Sequence, residues 1–275
     1  MHNVARQQRL ADLREKIATI EKRPLLAEGA AALGVQEPAA AILQAPGGVL
    51  HEVFADDQRN GGAAFGFSLG LARGLISEAR PAVIYLQLVH EAQDVGLPYG
   101  PGLMSFGFSP KRLIIGRMAN PAELLWAIEE AVACRAVAAV IAEVKGAPKV
   151  LDFTASRRLS LRAASGGTSV FLMRYGIERE ASAARLRWCI SPASSQAPPF
   201  DDQAPGRARW HVILEKGRLR ASLMKAGLEL WLDWTEHGFI AAPDPAEESD
   251  RRRDVASAVH GAAPAAVGDR MSQAG

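Results

Sequence analysis

Cysteine is scarce in this chain of 275 residues, which contains only Cys134 and Cys189. The two residues are far apart in sequence, and neither has a second cysteine or a histidine at the spacing of a metal site. This pattern argues against a disulfide framework or a zinc site, and it favours two buried neutral thiols. We expect no bound metal.

Long hydrophobic runs are also lacking. A membrane-spanning helix needs about 18 or more consecutive apolar residues, and glycine, proline or a charged residue interrupts every candidate run. The N-terminus is charged from Arg6 onward and has no apolar segment of a secretory signal. We therefore expect a cytoplasmic protein without a membrane partner.

A strong excess of charge of one sign is absent from the chain as a whole, whose net charge is +2. The balance is uneven along the sequence, however. Residues 1–151 are neutral in sum, residues 152–222 carry a net charge of +6, and residues 223–275 carry −4. The basic middle stretch is therefore where an acidic partner would be expected.

Strands and helices alternate in the middle of the sequence. The apolar run Ala82–Val89 suits a strand that is covered on both faces, and a helix with a clear N-terminal cap follows Asn120. Five strands interleaved with helices predict an α/β fold, a doubly wound and mostly parallel sheet with helices on both faces. Four further short strands are predicted at Arg185–Ile190, Arg209–Leu214, Leu219–Met224 and Leu228–Trp234.

These patterns divide the chain into four regions. We predict an N-terminal helix (Val4–Lys22) and linker over residues 1–46, the α/β core over 47–176, a small antiparallel, β-rich and basic extension over 177–241, and a disordered tail over 242–275.

A phosphate-binding lysine is missing where this fold would place it. The loop after the first strand is the usual phosphate site of a doubly wound sheet, but here it has neither the lysine nor the serine or threonine of a P-loop. Its two carboxylates would repel a triphosphate, so we expect a structural turn, no catalytic residue and no cofactor. The degenerate loop positions are Asp56, Asp57, Asn60, Gly61, Gly62 and Ala63, and Glu143 has the position of a metal-associated carboxylate on a later strand.

Several segments, taken in order, resemble a known family. They are Gly47–Phe54, Leu113–Ala131, the strand that ends at Glu143, and Ser156-Arg157-Arg158-Leu159. Their order resembles RecA-type recombinases and, more closely, the inducible mutagenesis protein A (ImuA) family of RecA/SulA-like accessory proteins. The chain departs from RecA itself in lacking the P-loop Lys-Thr, an aspartate at the position of Glu143, and an Asn-Gln pair after the strand that ends at Arg174.

The resemblance implies a RecA-like core and a role in the DNA-damage (SOS) response, in translesion synthesis and mutagenesis. It implies an adaptor without an enzymatic step that works with the Y-family-like protein ImuB and an error-prone C-family polymerase alpha subunit. RecA and single-stranded DNA are further partners that it implies. Two alternatives stay open, a SulA-like cell-division inhibitor and a divergent RecA-like ATPase with a non-standard loop.

Six arginines of the basic stretch form the candidate surface for binding DNA or a protein partner. Arg158 and Arg162 are four residues apart and share one face of a predicted helix, and Arg185 and Arg187 alternate onto one face of a predicted strand. The RecA resemblance implies that these elements face the DNA axis, where phosphate contacts would not depend on base sequence. The alternative interpretations are a solvated surface, or ion pairs of these arginines with acidic residues of the N-terminal helix and the tail. The six are Arg157, Arg158, Arg162, Arg174, Arg185 and Arg187.

Four tryptophans lie in the predicted extension. We expect Trp188 and Trp210 to build its core, because a small sheet needs large apolar side chains. For Trp231 and Trp234 the sequence leaves both a core position and an interface position open.

Overall fold

The computed structural model describes residues 47–195, 204–217 and 227–244, together with residues 197 and 201. All described helices and strands belong to one compact unit that ends at Ala242. The predicted helix Val4–Lys22, the predicted strand Leu219–Met224 and residues 245–275 of the predicted tail lie outside the described residues.

In the described residues, nine strands form a single sheet in the order β3-β2-β4-β5-β1-β6-β7-β8-β9. The first six strands of this order run parallel to one another, and β7, β8 and β9 are each antiparallel to the strand before them. The predicted α/β class with a mostly parallel sheet is therefore confirmed. The strands are β1 Leu50–Ala55, β2 Ala82–Leu88, β3 Leu113–Met118, β4 Val137–Val144, β5 Ser169–Tyr175, β6 Leu186–Ala193, β7 Arg209–Lys216, β8 Leu228–Thr235 and β9 Gly238–Ala242.

Five α-helices and two short 3-10 turns connect the strands in the described part of the chain. The helices are α1 Gly61–Arg73, α2 Val89–Val95, α3 Gly100–Ser105, α4 Pro121–Ala133 and α5 Phe153–Gly166, and the 3-10 turns are Gln58–Asn60 and Pro110–Arg112. None of these helices is long and apolar enough to cross a membrane.

Local side-chain bonds fix where α4 and α5 begin. The side chain of Asn120 accepts a hydrogen bond from the backbone N–H of Glu123 at 3.0 Å, and the Glu123 carboxylate accepts one from the N–H of Ala119. Asp152 caps α5 in the same way, by accepting a hydrogen bond from the N–H of Ala155 at 2.7 Å. These bonds satisfy amide groups that the first helical turn leaves without partners.

The sheet separates two hydrophobic clusters, which confirms that helices cover both of its faces. Alternate side chains of the central strands point to opposite faces, so Ile141 packs in the cluster with α1 whereas Val140 packs in the cluster with α4 and α5. All six residues of β1 and all eight of β4 are buried. The parallel strands therefore lie in the interior, as their near-continuous apolar sequences predict.

The C-terminal strands continue the same sheet. The prediction of antiparallel pairing is right for β6 with β7 and for β7 with β8, but β6 also runs parallel to β1, which the sequence pattern did not predict. This happens because the chain between β5 and β6 returns to the amino end of the sheet instead of forming a hairpin. The sequence pattern also missed β9.

Tryptophans of these strands pack beneath α1. Trp188 and Trp210 are buried, as predicted, and Trp234 is buried with them. Glycine in α1 makes room for the rings of Trp234 and Phe239, since a Cβ atom built on Gly70 would lie only 2.8 Å from a ring carbon of Trp234 and 2.4 Å from one of Phe239. The helix can therefore lie close to the antiparallel part of the sheet.

Candidate functional site

The carboxylate of Glu143 lies fully buried near the carboxyl end of β4, beside the loop that follows β1. It accepts hydrogen bonds from the hydroxyl of Tyr85 at 2.8 Å, the amide of Gln87 at 2.8 Å and the hydroxyl of Tyr175 at 2.5 Å. We refer to these four residues as the Glu143 cluster. Three donors occupy most of the roughly four lone-pair positions of a carboxylate.

Both phenols of the cluster are held in their neutral form. Burial, with the added effect of the nearby Glu143 charge, raises the pKa of Tyr85 and of Tyr175 well above the usual value near 10. A neutral phenol remains a hydrogen-bond donor, so the two hydroxyls keep stabilising the carboxylate. Glu143 has the position that the sequence assigned to a metal-associated carboxylate, and the oxygen atoms of this carboxylate accept hydrogen bonds from within the chain.

Little space remains beside the Glu143 cluster. The cavity there has a volume of about 150 Å³ and is lined in part by Gly61, Gly62, Phe65 and Gly96. The hydroxyl of Tyr175 reaches under the start of α1, since a Cβ atom on Gly61 would lie 2.9 Å from it. Sites for small molecules usually measure about 300–1,000 Å³, so this cavity is smaller than a site that would enclose a nucleotide.

The two loop carboxylates have partners within the chain. Asp57 accepts hydrogen bonds from the guanidinium and backbone N–H of Arg59, and these bonds lower the pKa of Asp57 to about 2. Asp56 accepts a hydrogen bond from Arg179 at 2.7 Å. The neighbouring Asn60 precedes α1 without capping it through its side chain. The degenerate loop is therefore held by arginine–carboxylate pairs. Ala63 follows the loop, in the first turn of α1.

Arg179 is a central residue of this region that the sequence analysis did not single out. Besides Asp56, its guanidinium donates to Glu215 at 2.8 Å and lies over the ring of Phe54, 4.1 Å from the ring centroid. It thereby connects the end of β1 to β7. No spacing rule marks such a residue, because its partners lie 123 and 36 positions away in sequence.

Two of the six predicted arginines are interior residues. Arg174 and Arg187 are only 4% and 9% exposed, and both face the buried carboxylate of Glu52. The Nε atom of Arg187 donates to Glu52 at 2.8 Å, and Arg174 also donates to Glu180 at 3.1 Å. This corrects their placement on an open basic surface. Burial of a charge requires a paired partner, and Glu52 serves both.

Arg158 and Arg162 do share a helix face, but that face is directed at α4. Both pair with Glu129, Arg158 at 2.5 Å and Arg162 at 3.2 Å, and Glu129 itself is largely buried. The two arginine side chains are about half exposed. They therefore join α4 to α5 and present only part of their charge to solvent.

Arg157 and Arg185 come together on the other side of α5. They line a groove of about 550 Å³, which we call the α5 groove, between α5, the start of β1 and the segment before β6. The remaining lining residues are Gly48, Val49, Leu50, Phe153, Ser160, Leu161, Ala164 and Ala183. Of the six predicted arginines, these are the two that the structure brings to one open cavity.

Both cysteines are free, but Cys134 is exposed, so the prediction of a buried thiol is wrong there because Cys134 directly follows the end of α4 at the surface. Cys189 is partly buried, and burial raises the pKa of its thiol to about 11. Within the described residues, no group of three or more His, Cys, Asp or Glu side chains could hold a metal ion.

Comparison with known proteins gives one consistent similarity. No protein-family model matches the chain. Two curated relatives, each named Protein ImuA, come from Caulobacter vibrioides strains NA1000/CB15N and ATCC 19089/CIP 103742/CB 15. Each is 38% identical to this chain, and the aligned region covers 63% of this chain and 73% of the relative.

Proposed function

The chain belongs to the ImuA family, and on that premise we propose that it acts in DNA-damage-induced mutagenesis as a non-enzymatic, RecA-like adaptor of translesion synthesis. The observation that carries the non-enzymatic part of the proposal is the Glu143 cluster. An ATPase needs a carboxylate free to organise a metal-bound phosphate, and this carboxylate already accepts three internal hydrogen bonds.

The loop after β1 supports the same conclusion. It offers no lysine to a phosphate, and both of its carboxylates face arginines of the chain itself. The adaptor would therefore retain the strand–loop–helix geometry of a nucleotide site without its chemistry. In this proposal the chain works with ImuB and an error-prone C-family polymerase alpha subunit, and it contacts RecA or single-stranded DNA.

Nucleotide binding tests the non-enzymatic part of the proposal. We expect purified protein to show no saturable binding of fluorescent ATP with Mg²⁺ at micromolar concentrations and no ATP hydrolysis above background. Glu143→Gln is the matched variant because it removes a charge but keeps the shape of the side chain. Hydrolysis by the wild-type chain that Glu143→Gln abolishes would show that the chain is a divergent ATPase.

A cellular assay tests the mutagenesis part separately. Deletion of the gene is expected to lower the frequency of ultraviolet-induced mutations, and both the wild-type chain and Glu143→Gln should restore it to the same level. Failure of the wild-type chain to restore mutagenesis would contradict the proposed role. Cell filamentation on overproduction without DNA damage, with recovery of the tubulin-like division protein in a pull-down, would instead indicate a SulA-like division inhibitor.

A further inference from the structure

Three large apolar side chains are exposed on the side of the sheet that carries α4 and α5. α4 packs over β2 and β4, and α5 packs beside it over β5 and β1, so β3 lies beyond α4 at the edge of the sheet. Trp126 on α4 is 63% exposed, Leu161 on α5 is 59% exposed, and Ile114 on β3 is 54% exposed. Apolar side chains that share one surface mark sites of contact with another protein.

Ile114 lies on the same side of the sheet as the two helices. It is in register with Ile84 of β2, and Ile84 packs in the hydrophobic cluster that contains α4. Residues in register on neighbouring parallel strands point to the same face of a sheet. A helix with its side chains is about 10 Å thick, so the surface steps down from α4 to Ile114.

Trp126 has the outermost position on α4. The buried residues Leu124 and Ile128 face the sheet, and the rotation of about 100° per residue places Trp126 on the opposite side of the helix. Ala122 and Ala133 are also exposed on that side, and they are small. The indole therefore projects beyond its neighbours, as the aromatic anchor of a protein interface does.

Charges of opposite sign lie on the two flanks of Trp126. Toward α5, Glu129 pairs with both Arg158 and Arg162, so this flank has two cations for one carboxylate. Toward β3, Glu130 is exposed and has no ion pair with any residue that the structure describes. The two flanks are at the same height, since consecutive residues are separated by about 1.5 Å along a helix axis.

This surface is complementary to itself. Across it lie, in order, Leu161, the two arginines, Trp126, Glu130 and Ile114. A rotation by 180° about an axis that passes through the indole parallel to α4 reverses this order. It sets Arg162 opposite Glu130 of a second copy, and Leu161 opposite Ile114, as an isologous interface requires. Each α5 would then lie over the step beside α4 of the other copy.

We propose that this surface is the interface of a symmetric homodimer, in which the two α4 helices pack against each other in parallel and their indoles are in contact. We call it the α4 face, and it consists of Ile114, Trp126, Glu130, Arg158, Leu161 and Arg162. A uniformly acidic or uniformly basic partner would meet a charge of its own sign on one flank. Antiparallel packing of two α4 helices would likewise place flanks of equal charge together. A second copy in parallel orientation avoids both conflicts.

Sedimentation equilibrium of the full chain tests the dimer and its anchor. We expect a concentration-dependent equilibrium between monomer and dimer, and Trp126→Ala should raise the dissociation constant by at least about tenfold, as for a central aromatic anchor. Tyr99→Ala is the matched control, because Tyr99 is 74% exposed but lies outside the α4 face. A wild-type chain that stays monomeric at every concentration, or a dimer that Trp126→Ala leaves unchanged, would overturn the proposal.

Charge reversal tests which flanks meet. Glu130→Arg and Arg162→Glu should each weaken its own dimer by at least about tenfold, since like charges then face each other twice. An equimolar mixture of the two variants should form a heterodimer, because each reversed residue meets its opposite charge. In Arg162→Glu, Arg158 still pairs with Glu129. Arg158→Glu replaces this variant if its circular dichroism spectrum changes. A mixture that stays monomeric would overturn the proposal.

Cross-linking tests the parallel orientation. On an axis parallel to α4, each outward-facing residue of the helix lies next to the same residue of the second copy. A short bismaleimide should therefore link chains that carry Ala122→Cys on a Cys134→Ser background into covalent dimers. Tyr99→Cys on the same background is the control and should not be linked. A dimer in which Ala122→Cys gives no more cross-linked product than this control would overturn the proposal.

Discussion

Alkaline titration of the two buried tyrosines measures the Glu143 cluster directly. The chain has three tyrosines, so Tyr99→Phe leaves Tyr85 and Tyr175 as the only phenols. Both have a pKa that is raised in the folded protein above the value near 10 of an unfolded chain. Their contribution to stability is therefore complete below pH 10 and is lost as the pH rises above 10.

The size of this loss follows from the linkage between proton binding and folding. At pH 11, ionisation of one phenol with a pKa of 10 stabilises the unfolded chain by about 1.4 kcal/mol. Two phenols that stay protonated in the folded protein therefore lower the free energy of unfolding by about 2.8 kcal/mol between pH 8 and pH 11. Removal of one of them should halve this difference.

Two measurements check the prediction. The ultraviolet absorbance of phenolate is expected to stay absent from folded Tyr99→Phe up to pH 11, and to appear when urea unfolds the protein at that pH. Urea denaturation at pH 8 and pH 11 gives the loss of stability, and the double variant Tyr85→Phe/Tyr99→Phe corrects for lysines and other groups that titrate in the same range. Phenolate absorbance that develops near pH 10 while the circular dichroism spectrum stays native would refute the closed cluster.

Three other substitutions test packing, buried charge and helix capping by urea denaturation. Gly70→Ala is expected to lower the free energy of unfolding by about 1–2 kcal/mol, because the added methyl group would overlap buried aromatic rings and this cost exceeds the gain in helix propensity. The control is Gly62→Ala, at an open position of the same helix, which should not lower the free energy of unfolding. Glu52→Gln should lower the free energy of unfolding by about 3–5 kcal/mol, because two buried arginines lose their shared carboxylate. Arg59→Ala breaks an exposed ion pair, and an equally large loss of stability from that variant would contradict the reasoning. Asn120→Ala should cost about 1 kcal/mol through loss of the α4 cap, and an unchanged urea midpoint would show that the cap contributes nothing.

Local signals explain which parts of the fold the sequence could predict. The start of α4 is defined by Asn120 and Glu123, three residues apart, and the structure confirms their capping bond. The near-continuous apolar composition of β4 likewise predicts a strand buried on both faces. Such features depend on neighbouring residues, so one sequence is enough to find them.

Ion pairs between residues that are distant in sequence explain why the arginine surface was only partly predicted. Helical spacing correctly places Arg158 and Arg162 together, but it does not reveal that Glu129 of another helix lies opposite them. Strand alternation cannot show that Arg187 meets Glu52, which is 135 positions earlier in the chain. The parallel pairing of β6 with β1 creates that contact, and the sequence pattern gave no indication of parallel pairing there.

The place of β1 in the sheet has a consequence for how the chain is made. This strand comes first among the described strands, yet its two neighbours, β5 and β6, follow only about 120 and 135 residues later. While the chain emerges from the ribosome in order, β1 keeps both edges unpaired over about 120 of the 275 residues, until β5 is made, and such edges readily pair with other chains. Newly made protein is accordingly most prone to aggregation before β6 emerges, and protection of β1 by a chaperone would act during that interval.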